Sequence, residues 1–198
     1  MRSEVVFAGG HATRLSGVNK ALLEVGGVPI ICRTLATLEP LTDEILAVVN
    51  DSALEGIRGL RLVRDPDPHA GVLPALQVGL REASGELCLV VAGDMPFVSA
   101  PLFEHLLALA PDQDLVIPAR GGQLEPMHAV YRRETCLAAV TAALERGERR
   151  MIAFHRAVRV LRVEDAELAP LDPHELAFLN VNTPEDLARA RKLAESGG

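Results

Sequence analysis

Mostly apolar runs recur along this chain at EVVFA (4–8), EILAVVN (44–50), LRLVRD (60–65), ELCLVVAGD (86–94) and DLVIPA (114–119), each bounded by turn-forming residues. Runs that are apolar at consecutive positions, and not only at alternate ones, predict strands covered on both faces. Helix-period stretches near 29–38, 73–83, 100–109 and 134–145 separate or follow them. Strands alternating with helices predict an α/β fold, a mainly parallel sheet with helices on both faces. The segment EPMHAVY (125–131), after the Gly121-Gly122 turn, reads as a further, antiparallel strand. Ser99 before Pro101, and Thr183 before Pro184-Glu185-Asp186, carry helix-start signals and predict strand-to-helix junctions.

With 198 residues, one domain buries roughly 70% of its unfolded surface and needs neither disulfide nor structural metal. Although 48% of the residues are hydrophobic, Gly, Pro or charge interrupts every run before the roughly 20 apolar residues of a membrane helix. No membrane association is expected. MRSEVVFAGG reads as a first strand and not a signal peptide, so a cytoplasmic location is the expectation. Cys32, Cys88 and Cys136 are widely separated and read as small buried hydrophobes, not a disulfide framework or zinc site.

The formal charge of −7 disfavours nucleic acid, which needs a basic face to neutralise successive phosphates. It does not disfavour a small anion held by local cations. Lys20 and Lys192 are the only lysines, beside 18 arginines. A composition that prefers Arg for its long cations makes Lys20 a candidate for a required ammonium.

In open parallel sheets, ligands bind at the loops that follow the strand C-termini. After the first strand comes FAGGHATRLSGVNK (7–20), where Gly9 and Gly10 allow close backbone approach to phosphate and Arg14 and Lys20 supply positive charge. The pattern is neither a Rossmann nor a Walker glycine motif. Asn50 follows the second strand, an amide suited to a base edge, a ribose or simply a turn. Asp65 follows the third, ahead of Pro66, and suits a guanine edge, a ribose hydroxyl or an Asx-type turn. Gly93-Asp94-Met95-Pro96 follows the fourth and sets a carboxylate at the mouth of an apolar strand. That placement suits Mg²⁺, which takes one or two carboxylates together with phosphate oxygens and waters.

The opening loop, Asn50, Asp65, GDMPF (93–97), EPMHAVY (125–131), GERR (147–150) and NVNTPED (180–186), in this order, resemble the molybdenum cofactor guanylyltransferases of the MobA family. The resemblance spans nearly the whole chain. It implies a Rossmann-like three-layer sandwich, the nucleotide-diphospho-sugar transferase fold, in one domain with a nucleotide-binding half at about 1–97 and a second-substrate half at about 98–194. It also implies transfer of GMP from GTP to molybdopterin, giving the guanine dinucleotide and pyrophosphate. Proteins that deliver the cofactor or receive the product are the further implied partners. Carried over by position, Phe7, Ala8, Gly9, Lys20, Asn50, Asp65 and Asp94 contact GTP, Asp94 holds Mg²⁺, and Asn180 and Asn182 lie nearer the pterin.

Departures from the family pattern are Ser16 for Gly, Asn19 for Asp, His11 at a commonly small or basic position, and AGVLPAL (70–76) for a Pro-Leu-Ala-Gly loop that approaches the base.

The implied reaction joins two anions, so Lys20, Arg14 and a metal on Asp94 form the expected catalytic set. A phosphate nucleophile is already ionised and calls for no strong general base. No histidine is therefore nominated, and His128 reads as a core or substrate-facing imidazole. Arg149 and Arg150 suit either a donor fork for the second substrate's phosphate or a solvated helix start. Two rivals remain: a cytidylyltransferase or sugar-phosphate nucleotidyltransferase of the same fold, separated by base preference, and a noncatalytic nucleotide-binding adaptor, which would release no pyrophosphate.

Overall fold

A computed structural model of the protein describes residues 1–9, 18–67 and 70–196. From the N-terminus its elements are β1 (Arg2–Phe7), a hairpin of β2 (Glu24–Val25) and β3 (Val28–Pro29), α1 (Ile30–Leu38), β4 (Glu44–Val49), β5 (Arg61–Arg64), α2 (Val72–Glu82), β6 (Leu87–Ala92) and α3 (Ala100–Ala108). They continue with β7 (Leu115–Arg120), β8 (Gln123–Leu124), β9 (His128–Arg132), α4 (Arg133–Glu145), β10 (Val160–Glu164), α5 (Asp165–Leu168) and α6 (Pro184–Glu195). Each predicted strand and helix is present, with ends moved by a few residues. The β2–β3 hairpin, β8, β10 and α5 are additional. They are short, and β10 interleaves Arg162 and Glu164 with its apolar residues, so periodicity alone gives them little signal.

The main sheet runs β10-β7-β9-β6-β1-β4-β5, with β8 paired to β7. β1 pairs parallel with β4 and β6, β4 with β5, and β10 with β7. β9 runs antiparallel to both its neighbours, in agreement with the expectation for 125–131. Alternate residues of each strand feed the two cores. On one face Val6, Leu89 and Val91 meet Leu35 and Leu38 of α1 and Leu102, Phe103 and Leu106 of α3. On the other, Val5, Leu46 and Val90 meet Leu73, Leu76 and Leu80 of α2 and Cys136 and Val140 of α4. α2 lies so close to β1 that a Cβ on Gly79 would stand 2.6 Å from a Val5 methyl, closer than packed atoms tolerate. A third, smaller cluster of Val25, Ile30, Val181, Leu187 and Ala190 seats α6 against the hairpin.

The helix-start signals act as expected. Ser99 Oγ accepts the Leu102 N–H at 3.3 Å, and Thr183 and Asp186 form a reciprocal capping box. The Thr183 motif, however, does not follow a strand. The chain from 169 to 183 is irregular, and its hydrogen bonds come from turns and from Asp172, whose carboxylate accepts the Leu176 and Ala177 N–H groups.

Three buried polar groups belong to the fold and not to a ligand loop: His128, Asp114 and Glu4. His128 is fully buried, its ring stacked on Phe103 at 4.6 Å and 4.7 Å from Phe178. Burial pushes its pKa down to about 3, so a neutral imidazole belongs to the core. Asp114, at the opposite end of the sheet from the ligand loops, takes three hydrogen bonds from Arg159 and one from Thr135. The Arg159 guanidinium holds its carboxyl down at about 2.

Glu4 is different. It sits fully buried in the middle of β1, and neither carboxyl oxygen has a hydrogen-bond partner. Burial raises its pKa well above the carboxylate range, so the folded state holds it as the neutral acid. The sign follows from proton counting. Below a pKa of about 4.3 both folded and unfolded states are protonated; above it the unfolded state loses a proton that the folded state keeps, and stability falls as pH rises. Glu4→Leu is therefore expected to raise the unfolding midpoint. Its advantage in denaturant titrations should grow between pH 5 and 8 by up to about 1.4 kcal/mol per pH unit, and a pH-independent difference would disprove the neutral assignment.

Candidate active site

The chain leaves β1 for β4 and β5 on one side and returns to β6 on the other. The loops after β1 and β6 thus diverge from adjacent strands, the switch point at which open parallel sheets bind ligands. Backbone bonds draw these ends together: the Ala8 N–H donates to Val48 O at 3.0 Å, and the Gly93 N–H donates to Phe7 O at 2.9 Å.

Lys20 stands at the centre. It begins a short 3₁₀ turn whose cap, Asn19, is buried. Asn19 accepts the Ala21 N–H at 3.0 Å through Oδ1 and donates from Nδ2 to Ala8 O at 2.9 Å. The second bond needs an N–H donor, which an ionised aspartate lacks, so the Asn19 departure has a structural use here. The Lys20 ammonium then donates to Asp94 Oδ2 at 3.1 Å and to Asn182 Oδ1.

Asn182 reaches Lys20 because the capping box holds it. Asp186 Oδ2 accepts the Asn182 and Thr183 N–H groups at 3.0 and 2.9 Å, and the Val181 N–H donates to the Asp94 carbonyl at 2.9 Å. The backbone bond from Asn182 leads the interactions that hold the Asp186 carboxyl below its usual range. The C-terminal motif is in this way stitched directly to the β6 loop.

Two cavities flank this centre. One, of about 110 Å³, is bounded by Phe7, Ala8, Asn19, Lys20, Gly93 and Asp94. The other, of about 260 Å³, has apolar walls from Phe7, Val48, Val72, Ala75 and Met127, with Asn50 and Asp65 as its polar groups. Phe7 and Met127 line both. Asn50 donates to Gly9 O at 2.7 Å, and a Cβ on Gly9 would fall 2.7 Å from its amide oxygen. Gly9 thus makes room for Asn50, a requirement that the glycine pattern alone does not reveal. Asp65 accepts the Asp67 N–H at 3.0 Å, the Asx-type turn, while its carboxylate still borders the cavity. Residues 72–76 belong to the first turns of α2 and do not form a loop; Val72 and Ala75 present the wall. Sequence reasoning missed Met127, which comes from a segment remote in the chain, and placed 70–76 near the base as a loop where the structure has the start of α2.

Gly10 and Arg14, with His11 and Ser16, lie outside the described residues. Asn180 donates to Phe178 O at 3.1 Å and borders a third cavity, separate from Lys20's. Arg149 and Arg150 do not start a helix. They follow the C-terminus of α4, and Arg149 donates to Leu144 O and Glu148 O at 3.2 and 3.0 Å, because a guanidinium satisfies terminal helix carbonyls. Since β9 runs antiparallel, α4 returns the chain to the ligand end of the sheet, which places both arginines at that end.

For a metal, Asp94 is the acid of the smaller cavity, and no cluster of three or more His, Cys, Asp or Glu residues suited to a metal occurs among the described residues. A lone carboxylate open to a phosphate-sized space fits Mg²⁺, which takes its other ligands from phosphate and water. It does not fit a closed zinc site.

Comparison with known proteins identifies the family. The family model of the MobA-like NTP transferase domain matches residues 4–160. A "Probable molybdenum cofactor guanylyltransferase" of Pelotomaculum thermopropionicum is 37% identical over 97% of this chain and 93% of its own. A protein of the same name from Methanosarcina mazei is 35% identical over 94% of this chain and 88% of its own. The crystal structure of molybdopterin-guanine dinucleotide biosynthesis protein A from Archaeoglobus fulgidus superposes with a TM-score of 0.82 at 25% identity, covering 98% of this chain and 99% of that one. The chain belongs to the MobA-like NTP transferase family.

Proposed function

We propose that this protein transfers the guanylyl group of GTP to molybdopterin, forming the molybdopterin guanine dinucleotide and releasing pyrophosphate. The observation that carries the reading is the Lys20 ammonium, held by Asp94 and Asn182 at the sheet's switch point beside a cavity with Asn50 and Asp65 on its wall. The names of the relatives supply the two substrates.

In this reading the base enters the larger cavity against Phe7, with Asn50 and Asp65 as its polar contacts. The triphosphate crosses Ala8 and Gly9, and the loop carrying Gly10 and Arg14 contributes to the same phosphates. Asp94 would hold Mg²⁺, which when bound neutralises charge on the triphosphate. Two unit charges 4 Å apart repel by about 4 kcal/mol at an effective dielectric near 20, so the second anion needs a cation of the protein's own. Lys20 supplies it. Its ammonium exchanges the bond to Asp94 for a phosphate oxygen, while Asn182 keeps it aimed. The acceptor phosphate is ionised at neutral pH and attacks the α-phosphorus as pyrophosphate departs, so positioning and charge govern the rate. Arg149 and Arg150 remain available to the second substrate only where their bonds to the end of α4 open. A cytoplasmic setting suits the three free thiols.

Lys20→Ala is expected to lower kcat by about 10²–10³-fold, the usual loss for one preorganised donor, with an unchanged circular dichroism spectrum; near-normal kcat would remove Lys20 from the mechanism. Asp94→Asn should leave GTP-induced thermal stabilisation insensitive to Mg²⁺, and a retained metal dependence would move the metal elsewhere. In thermal unfolding of the wild type with each triphosphate, GTP alone should stabilise, by about 2.7 kcal/mol at a hundred times its Kd. Preference for CTP would reassign the base, and no shift with any triphosphate would favour a noncatalytic role.

A further inference from the structure

Beyond the Lys20 centre, the C-terminal end of β7 and the 172–180 segment border two cavities of about 320 and 310 Å³, the second strongly polar, which share Arg120, Glu175 and Phe178 as lining. Arg120 is the last residue of β7. Its guanidinium lies over the Phe178 ring, 5.0 Å from the centroid, and one of its nitrogens stands 3.4 Å from the Glu175 carboxylate. The second cavity extends past Asn180 to Arg189 on α6.

The arrangement is preformed. Asp172 accepts the Leu176 and Ala177 N–H groups through its carboxylate, and its carbonyl accepts the Glu175 N–H at 3.0 Å. Phe178 is anchored on the other side against His128. Glu175 has φ +53°, the one positive value among the described non-glycine residues, a conformation that side chains with a Cβ seldom adopt. The turn thus holds an exposed carboxylate beside a guanidinium that an aromatic ring already backs. An exposed ion pair of this kind contributes little to stability, so its groups are free to take other partners.

The geometry fits a planar heterocycle. A guanidinium presents one flat face to Phe178 and the other to a second ring, while its N–H groups stay in plane to hold a carboxylate. A carboxylate in turn accepts the donor edge of a 2-amino-4-oxo pyrimidine ring. The position also suits the second substrate. From Phe178 to Asn182 the chain can span at most roughly 14 Å between Cα atoms, so a ring at Arg120 stays in the neighbourhood of the Lys20 centre, and the strand order sets it on the opposite side from Asn50 and Asp65.

We propose that Arg120, backed by Phe178, stacks on the pterin ring of the second substrate, and that Glu175 accepts the ring's amino edge. This assignment rests on the guanylyltransferase reading and deepens it: it gives the ring a site apart from Arg149 and Arg150, which the sequence suited to the substrate's phosphate, with Asn180 and Arg189 lining the same cavity. The test uses the full-length protein and purified molybdopterin, titrated by pterin fluorescence, for which a chain without tryptophan gives little background. Arg120→Ala and Glu175→Gln should each weaken molybdopterin binding about tenfold. Arg120→Lys, which keeps charge but not the flat face, should not restore it. GTP-induced thermal stabilisation should be unchanged in all three, which also certifies their fold. Molybdopterin binding within twofold of wild type in both Arg120 variants would overturn the ring site while leaving the guanylyltransferase reading intact. A wild type stabilised by no triphosphate and unable to bind molybdopterin would overturn both.

Discussion

The contact of one ammonium with two side chains far away in sequence organises the catalytic end of this molecule. Lys20 comes from the loop after β1, Asp94 from the loop after β6, and Asn182 from the cap of α6. None of these segments would hold its position by local structure alone. Asn19 pins the lysine turn to Ala8, and Asp186 pins Asn182 through the capping box. The Val181 N–H closes the ring on the Asp94 carbonyl. Each tie is a single hydrogen bond of modest net stability, but together they leave the ammonium few places to go, which is the condition for electrostatic preorganisation.

The sheet explains why such a centre sits between two groups of cavities. Its parallel strands deliver their following loops to one end, and the reversal of strand order at β1 opens a crevice there. The apolar cavity with Asn50 and Asp65 lies over β1, β4 and β5; the polar cavities with Arg120 and Glu175 lie over β7 and its neighbours. In the proposed assignment the two rings of a dinucleotide product would take the outer regions and its phosphates the Lys20 centre between them. The antiparallel β9 separates the two regions and contributes Met127, just before its start, to the floor beneath Phe7.

Other buried groups serve stability, Asp114 at the opposite end of the sheet and His128 and Glu4 between its layers. Asp114 and Arg159 join the starts of β7 and β10, and His128 and Glu4 are buried as neutral groups within the core. Sequence left His128 open between core and ligand and gave no sign that Glu4 is buried. A histidine on a strand has the same local pattern whether it faces core or ligand, and a glutamate in an apolar run looks like a strand end. Only the layers stacked on each strand decide between these.

What the sequence by itself determined is the set of elements and the places where ligand loops emerge. Short, mostly apolar runs bounded by turns point to strands packed under helices, and helix starts announce themselves through Ser99 and the Thr183 box because a cap is a local hydrogen bond. Gly9, Asn50, Asp65 and Asp94 were visible for the same reason, each following a strand directly. The tertiary structure alone decided what those residues touch. Gly9 clears space for Asn50, Asn182 reaches across to Lys20, Arg149 turns back on its own helix, and Arg120 finds Phe178 and Glu175, because a side chain's partner is set by which strands lie next to each other. That order depends on burial summed over the whole sheet, and no window of sequence contains it.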